Sequence, residues 1–249
     1  MTGTGPRIAV FGATSALAQA AVRRWASQGA SLVLVARDAE RLEAVAADAR
    51  VHGAAAVERQ VADFSSATRM PDIAANAWNA REGLDVALLA WGSLSDQARA
   101  QRDVGYLAAE LEVNFVAFAC LAEALAGRMR AQGGGTIGLI GSVAGDRARA
   151  GHYAYASAKA GLDSYARGLR AACRPHGVHV VLIKPGPTAT PMTAHLRPGL
   201  LWGTPEAAGD AIVAAIAARR AVRYVPAYWR AIMFVVRLLP DALAARLKA

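Results

Sequence analysis

Residues 7–20 read RIAVFGATSALAQA. Arg7–Gly12 is an apolar run of strand length, and from Ala16 a helical pattern takes over and continues to Gln28. The junction between them, Gly12, Ala13, Thr14, Ser15 and Ala16, is built only of small residues. The first amide groups of a helix have no partner within it and attract anions, and small residues let a phosphate approach them closely. By itself such a junction serves packing more often than binding. The same alternation recurs, however. Strands are expected at Arg7–Gly12, Ser31–Ala36, Ala56–Ala62, Leu84–Ala90, Thr136–Gly141, Val178–Ile183 and Val222–Val225, and helices at Ala16–Gln28, Asp38–His52, Ala109–Ala131, Tyr153–Cys173 and Pro205–Arg219. Valine- and leucine-rich strands alternating with helices predict an α/β fold: one doubly wound domain with a seven-stranded parallel sheet covered on both faces. Ligands of such sheets bind beyond the carboxyl ends of the strands, so the turns after each strand matter most.

At 249 residues and 55% hydrophobic composition, one large domain with a substantial core is expected. The strand at Arg7 begins too early for a cleaved signal to precede it. Cys120 and Cys173 are too few and too separated for a metal site or disulfide framework, which suits a reducing cytoplasm. The net charge of +9 is uneven, because Arg219–Ala249 contributes +6 of it. There the basic residues interleave with Tyr228, Trp229, Ile232, Met233, Phe234, Val235, Val236, Leu238 and Leu239. That pattern suits a membrane surface better than a nucleic-acid groove, and no nucleic acid is expected as a partner. Residues 1–225 are expected to form the main domain, with 226–249 a basic amphipathic helical extension of it. Ala227–Leu239, 13 residues with two arginines, is too short and charged to span a bilayer, which takes about 20 apolar residues. It is expected either to lie in the interface, on the inner face of the cell membrane, or to fold over a pocket or a partner subunit.

Chemistry concentrates at residues 151–161, GHYAYASAKAG. Tyr155 stands four residues before Lys159, on the same face of a helix. An ammonium beside a phenol favours the phenolate, so Lys159 is expected to lower the pKa of Tyr155. Tyr153 has Ser157 at that spacing and is expected to be a pocket wall or a packing residue. After the second strand come Arg37, suited to a ribose 2′-phosphate, and Asp38, a candidate helix N-cap.

Together with FGATSALA (11–18), LAWG (89–92), EVNF with Asn114, GSVAG with Ser142 and PGPTAT (185–190), these residues resemble the short-chain dehydrogenase/reductase family over nearly the whole chain. Ser142 precedes Tyr155 by 13 residues, the spacing usual for the family. The resemblance implies a Rossmann fold and NAD(P)-dependent chemistry between alcohols and ketones, with Asn114, Ser142, Tyr155 and Lys159 catalytic. Tyr155 would donate the proton, Ser142 polarise the carbonyl, Lys159 hold the nicotinamide ribose, and Asn114 anchor a water leading to solvent. It implies a cofactor held by Gly12, Thr14, Ser15, Ala16, Leu17, Arg37, Asp63, Ala90, Gly92, Tyr155, Lys159, Pro185, Gly186, Thr188 and Thr190, with Asp63 near the adenine. Arg37 favours NADP(H) over NAD(H), and no metal is implied. Family members usually pair through the long helices, so a homo-oligomer, dimer or tetramer, is expected. The pattern departs at Ala16 and Ala18, which replace glycines, and at Leu89 and Ala90, which replace asparagines.

GSVAGDRARAGHYAYASAKAGLD, TATPMTAHL and YVPAYWRAIMFVVRLLP are similar to the decaprenylphosphoryl-2-keto-erythro-pentose reductase branch, which implies a keto-sugar on a lipid carrier. Arg147 and Arg149 are then candidates for a substrate phosphate. The alternatives are a family reductase of another hydrophobic carbonyl, and a catalytically dead dinucleotide sensor, against which the intact catalytic four argue.

Overall fold

Seven parallel strands form one sheet in the order β3-β2-β1-β4-β5-β6-β7: β1 Arg7–Phe11, β2 Ser31–Ala36, β3 Ala56–Val61, β4 Val86–Leu89, β5 Gly135–Ile140, β6 Val178–Pro185 and β7 Val222–Val225. The computed structural model describes residues 5–197 and 199–240, so the end of the basic tail, with Arg246 and Lys248, lies outside the described residues. Among the described residues the α-helices are α1 (Ala16–Ala26), α2 (Ala39–Val51), α3 (Met70–Asn79), α4 (Gln97–Ala100), α5 (Val104–Leu111), α6 (Ala117–Gln132), α7 (Tyr153–Cys173), α8 (Pro205–Ala217) and α9 (Trp229–Leu238).

The central strands are apolar at nearly every position because both faces are covered. Ala9, Phe11, Val33 and Leu139 face one core, with Phe118, Leu121 and Leu162 of α6 and α7. Ile8, Val10, Leu32 and Leu34 face the other, with Ala18, Val22, Trp25 and Ile212 of α1 and α8. Ala18 is fully buried in that second core, so the methyl replacing a glycine is absorbed between helix and sheet.

The order reverses between β1 and β4, and the chain opens its ligand crevice there. Gly12, at φ +82°, ends β1 with a backbone no side chain would tolerate: a Cβ there would stand 2.6 Å from the Trp91 nitrogen.

Helices α3 and α4 are not among those expected, and one expected helix differs in kind. The helix expected over Ala109–Ala131 starts earlier and is interrupted, because Glu112–Val116 forms a π turn between α5 and α6. The Ala117 amide reaches back five residues to the Glu112 carbonyl. A π turn adds one residue to the turn, leaves the apolar periodicity almost unchanged, and often marks functional sites. Here it swings Asn114 fully inward. The 104–132 helical run is apolar enough by length and composition to cross a membrane, with only 22% of its most apolar window buried.

Candidate active site

Tyr155 and Lys159 lie one turn apart near the start of α7, which begins at Tyr153 as expected. Glycine lets α7 approach its neighbours. At Gly145 an added Cβ would stand 2.7 Å from the Lys159 backbone. At Gly92, φ +150°, it would stand 2.9 Å from Asn114 Oδ1 and 3.7 Å from Lys159 Nζ, so Asn114 and Lys159 converge on the same backbone. Ser142, after β5, accepts the Ala144 amide at 3.1 Å, and its hydroxyl acts on the Tyr155 phenol to lower its pKa. The four predicted catalytic residues thus meet beyond the carboxyl ends of β4 and β5.

The electrostatics differ from the sequence expectation. Burial raises the Tyr155 phenol above its ordinary range, and only the hydrogen bond from Ser142 pulls it down. Lys159 does not depress it. Its amine is itself pushed down to about 7 by burial, donates to the Ile140 carbonyl at 3.2 Å and lies 4.6 Å from the Phe118 ring centroid. The Tyr155 ring centroid is 5.7 Å away. Charge is costly to both groups in this dry pocket, so desolvation outweighs their i, i+4 attraction.

A carboxylate that sequence reasoning missed braces the site. Glu110 Oε2 accepts the hydroxyls of Ser93 (2.8 Å) and Ser95 (2.7 Å) and the Asn114 amide (3.3 Å). Asn114 Nδ2 also donates to Ser93 Oγ at 3.0 Å and the Glu110 carbonyl at 3.1 Å, while its Oδ1 accepts the Ser93 amide. Trp91, in the place between Ala90 and Gly92, stacks between Phe64 (4.4 Å) and Phe118 (3.9 Å) and donates to the Val113 carbonyl of the π turn. This aromatic stack supplies the bracing that Leu89 and Ala90 cannot.

A second network holds the loop after Ser142. Lys184, at the end of β6, donates to Asp146 in that loop and to Asp163 on α7 (2.8 Å), and Tyr224 donates to Asp146 at 2.8 Å. Burial pushes the Asp163 carboxyl upward, but the hydrogen bonds from Arg167 and Lys184 hold it below the usual range. Lys184 and Asp146 are almost wholly buried, so removing either charge alone would strand the other. None of this was legible in the sequence, where 146, 163, 184 and 224 share no motif.

At the expected dinucleotide end, Ser15 precedes α1 without capping it by its side chain, so the first amides of α1 face the turn with no side-chain acceptor. Arg37 is exposed just past β2, and Asp38 caps α2 by accepting the Arg41 amide. Arg41, not anticipated, reaches the Thr14 carbonyl at 3.4 Å, which puts a second guanidinium against the turn. Asp63 accepts the amide of Ser65. Thr188 donates to the Gly186 carbonyl, and Thr190 caps the short turn at Pro191–Thr193. These features fit a dinucleotide: an uncapped helix N-terminus, small residues at 12–16 and two arginines beside them.

The tail's described part folds onto this site. Trp229, Met233 and Val236 of α9 pack with Val143, next to Ser142. A Cβ on Gly186 would collide with Trp229 Nε1, which donates to the Leu201 carbonyl. Phe234, Val235 and Leu238 stay exposed on the opposite face. Arg147 donates to the Arg237 carbonyl at 3.3 Å and so ties its loop to α9. Tyr153 is exposed at the rim. Gln97, buried beside it, accepts the Ala154 amide at 2.9 Å, while its Nε2 has no acceptor among the described residues.

This arrangement of parallel sheet, crevice and Ser–Tyr–Lys–Asn cluster defines an NAD(P)-dependent oxidoreductase. The chain belongs to the short chain dehydrogenase family, whose model matches residues 6–200. It is 36% identical over 239 residues to an uncharacterized oxidoreductase of Mycobacterium tuberculosis, covering 96% of this chain and 95% of that one. It is also 30% identical over 195 residues to galactitol 2-dehydrogenase (L-tagatose-forming) of Cereibacter sphaeroides, covering 78% and 75%. The fold matches a short chain dehydrogenase of Burkholderia cenocepacia in complex with NADP, with a TM-score of 0.83, 23% identity and full coverage of both chains.

Proposed function

We propose that this chain is an NADP(H)-dependent reductase that converts a ketone to a secondary alcohol, and that its substrate is a keto-sugar carried on a polyprenyl phosphate. The observation that carries the reaction is the convergence of Asn114 and Lys159 on Gly92, one helical turn from Tyr155, whose phenol Ser142 pulls down against the upward push of desolvation. When bound, the nicotinamide supplies the hydride. Ser142 and Tyr155 hold the carbonyl oxygen and stabilise its growing negative charge, and the Tyr155 hydroxyl gives up its proton to that oxygen. Lys159, anchored by the Ile140 carbonyl, holds the ribose, and its amine, with a pKa of about 7, passes a proton back to Tyr155. Asn114, fixed by Glu110 and Ser93, orients water at the end of that path.

The Cereibacter relative's name, a dehydrogenase between a polyol and a ketose, supports a sugar-like reacting carbon. The exposed Met192, Leu196, Leu200 and Leu201, the last of which accepts the Trp229 indole, support with the outer face of α9 a lipid carrier reaching the pocket from an inner membrane surface. The apolar α5 segment, which buries none of its side chains, supports pairing with a second copy.

The substrate reading is tested by following NADPH oxidation with a polyprenyl-phosphate keto-pentose, the free ketose and a simple hydrophobic ketone. The lipid-linked compound should give the highest kcat/KM. Equal turnover of the hydrophobic ketone would move the assignment to a general carbonyl reductase.

Arg37 and Arg41 support NADPH over NADH. Each charge-assisted hydrogen bond to a phosphate contributes about 1.5–3 kcal/mol, so Arg37→Ala with Arg41→Ala should raise KM for NADPH by roughly 100-fold or more. KM for NADH should stay within twofold, about the scatter of independent surface changes. A parallel rise for both cofactors would remove the 2′-phosphate role.

A further inference from the structure

The β7 edge of the sheet holds a concentration of charge that the reaction does not use. A cavity of about 500 Å³ opens there between α7, β7 and α9. Its wall carries Arg167 and Arg170 from α7, Arg220 and Arg223 at β7, and Arg230 and Arg237 from α9. None of Asn114, Ser142, Tyr155 or Lys159 lines it.

Asp163 is the one carboxylate among the described lining residues, and it is already engaged. Arg167 grips it through two hydrogen bonds of 3.1 Å, and Lys184 adds a third at 2.8 Å. Arg170 is held by the Val180 and Ala221 carbonyls. Arg220, Arg223 and Arg230 have no carboxylate partner among the described residues, yet two separate segments of chain, at β7 and on α9, bring them and Arg237 around one hollow. Like charges gathered in a concave site repel one another and focus the field on whatever anion enters. Guanidinium forks match the oxygens of a phosphate, and several of them suit a multiply charged one.

The geometry points to a second ligand site, for a phosphate-bearing anion, held by Arg220, Arg223 and Arg230 and backed by Arg170 and Arg237. It is separate from the catalytic cleft and does not rest on the reductase reading. The phosphate belongs either to a soluble diphosphate or to an anionic lipid headgroup. The exposed Phe234, Val235 and Leu238, on the same helix as Arg230 and Arg237, are compatible with the second source.

The test uses the full-length protein saturated with NADP⁺, so that the cofactor's own phosphate site is filled. Inorganic pyrophosphate is titrated by calorimetry, and flotation is compared with vesicles containing phosphatidylglycerol and with phosphatidylcholine alone. Pyrophosphate should bind saturably and weaken as salt is raised. The triple variant Arg220→Gln, Arg223→Gln, Arg230→Gln should bind it roughly 100–1,000-fold more weakly, since each guanidinium withdrawn from a phosphate costs about tenfold. A control triple, Arg50→Gln, Arg102→Gln, Arg174→Gln, carries the same change in net charge elsewhere and should bind like the parent. Unchanged NADP⁺ affinity in both triples reports that they fold. Arginine-dependent flotation on phosphatidylglycerol vesicles, together with pyrophosphate binding, assigns the headgroup source. Pyrophosphate binding without flotation assigns the soluble one. No saturable pyrophosphate binding, or equal weakening in the control triple, overturns the site.

Discussion

Tyr155→Phe should lower kcat for ketone reduction by about 10²–10⁴-fold, the usual contribution of a positioned acid or base, while leaving NADPH affinity and the folded state intact. The substitution removes one oxygen and its proton from the ring and little else. The raised phenol pKa matters to the direction of the reaction. Above its ordinary range Tyr155 is protonated at neutral pH, the state a donor needs, so reduction should be flat from acid to neutral pH. Oxidation of the alcohol needs the phenolate and should accelerate into the alkaline range. Steady-state kinetics in both directions, with parent and variant, check this. A Phe variant that retains a tenth of parental kcat would show that the proton comes from elsewhere.

Lys159→Met should abolish turnover to a similar degree and yet make the cofactor-free protein more stable at neutral pH. Lys159 is almost fully buried, with a carbonyl and the rings of Phe118 and Tyr155 beside it and no carboxylate partner among the described residues. Its ordinary pKa is 10.5, and burial lowers it to about 7 in the folded chain. Between those values the unfolded chain holds a proton that the folded chain has released, so stability rises with pH across this window and the full cost of burying the ammonium is felt below it. Methionine fills nearly the same volume without the charge. At about 1.4 kcal/mol per unit the removed cost is on the order of a few kcal/mol, offset by about 1–3 kcal/mol for the Ile140 carbonyl left without a donor. At pH 6.5 the variant should melt several degrees higher, since about 1 kcal/mol shifts a chain of this size by roughly 2–4 °C. The gap should close toward pH 10. Calorimetry of both apoproteins across that range measures it, and a parent that is the more stable at pH 6.5 would contradict the burial cost. Such a lysine is kept for chemistry at the expense of the fold.

These two residues also show how far sequence reading reaches. Their spacing put them on one face of a helix, and α7 runs over the expected Tyr153–Cys173. The same spacing suggested that Lys159 would lower the Tyr155 pKa, and there it failed. An i, i+4 relation gives proximity; the sign of a pKa shift depends on how dry the site is, which neighbours distant in the chain decide.

Local pattern settled the seven strands and their alternation with helices, since the alternation of strand-length apolar runs with helical periodicity is carried by each segment itself. It placed β2 and β7 at their observed bounds and identified the turn at Gly12. Tertiary structure alone decided the rest. It introduced the π turn that brings Asn114 inward, gathered Glu110 with Ser93 and Ser95, and drew Arg41 to Thr14. It locked Lys184 between Asp146 and Asp163 and seated Trp229 against Gly186. Each joins residues with no periodic relation, and what selects them is the need of buried polar groups for partners, which exists only once the sheet has closed them off from water.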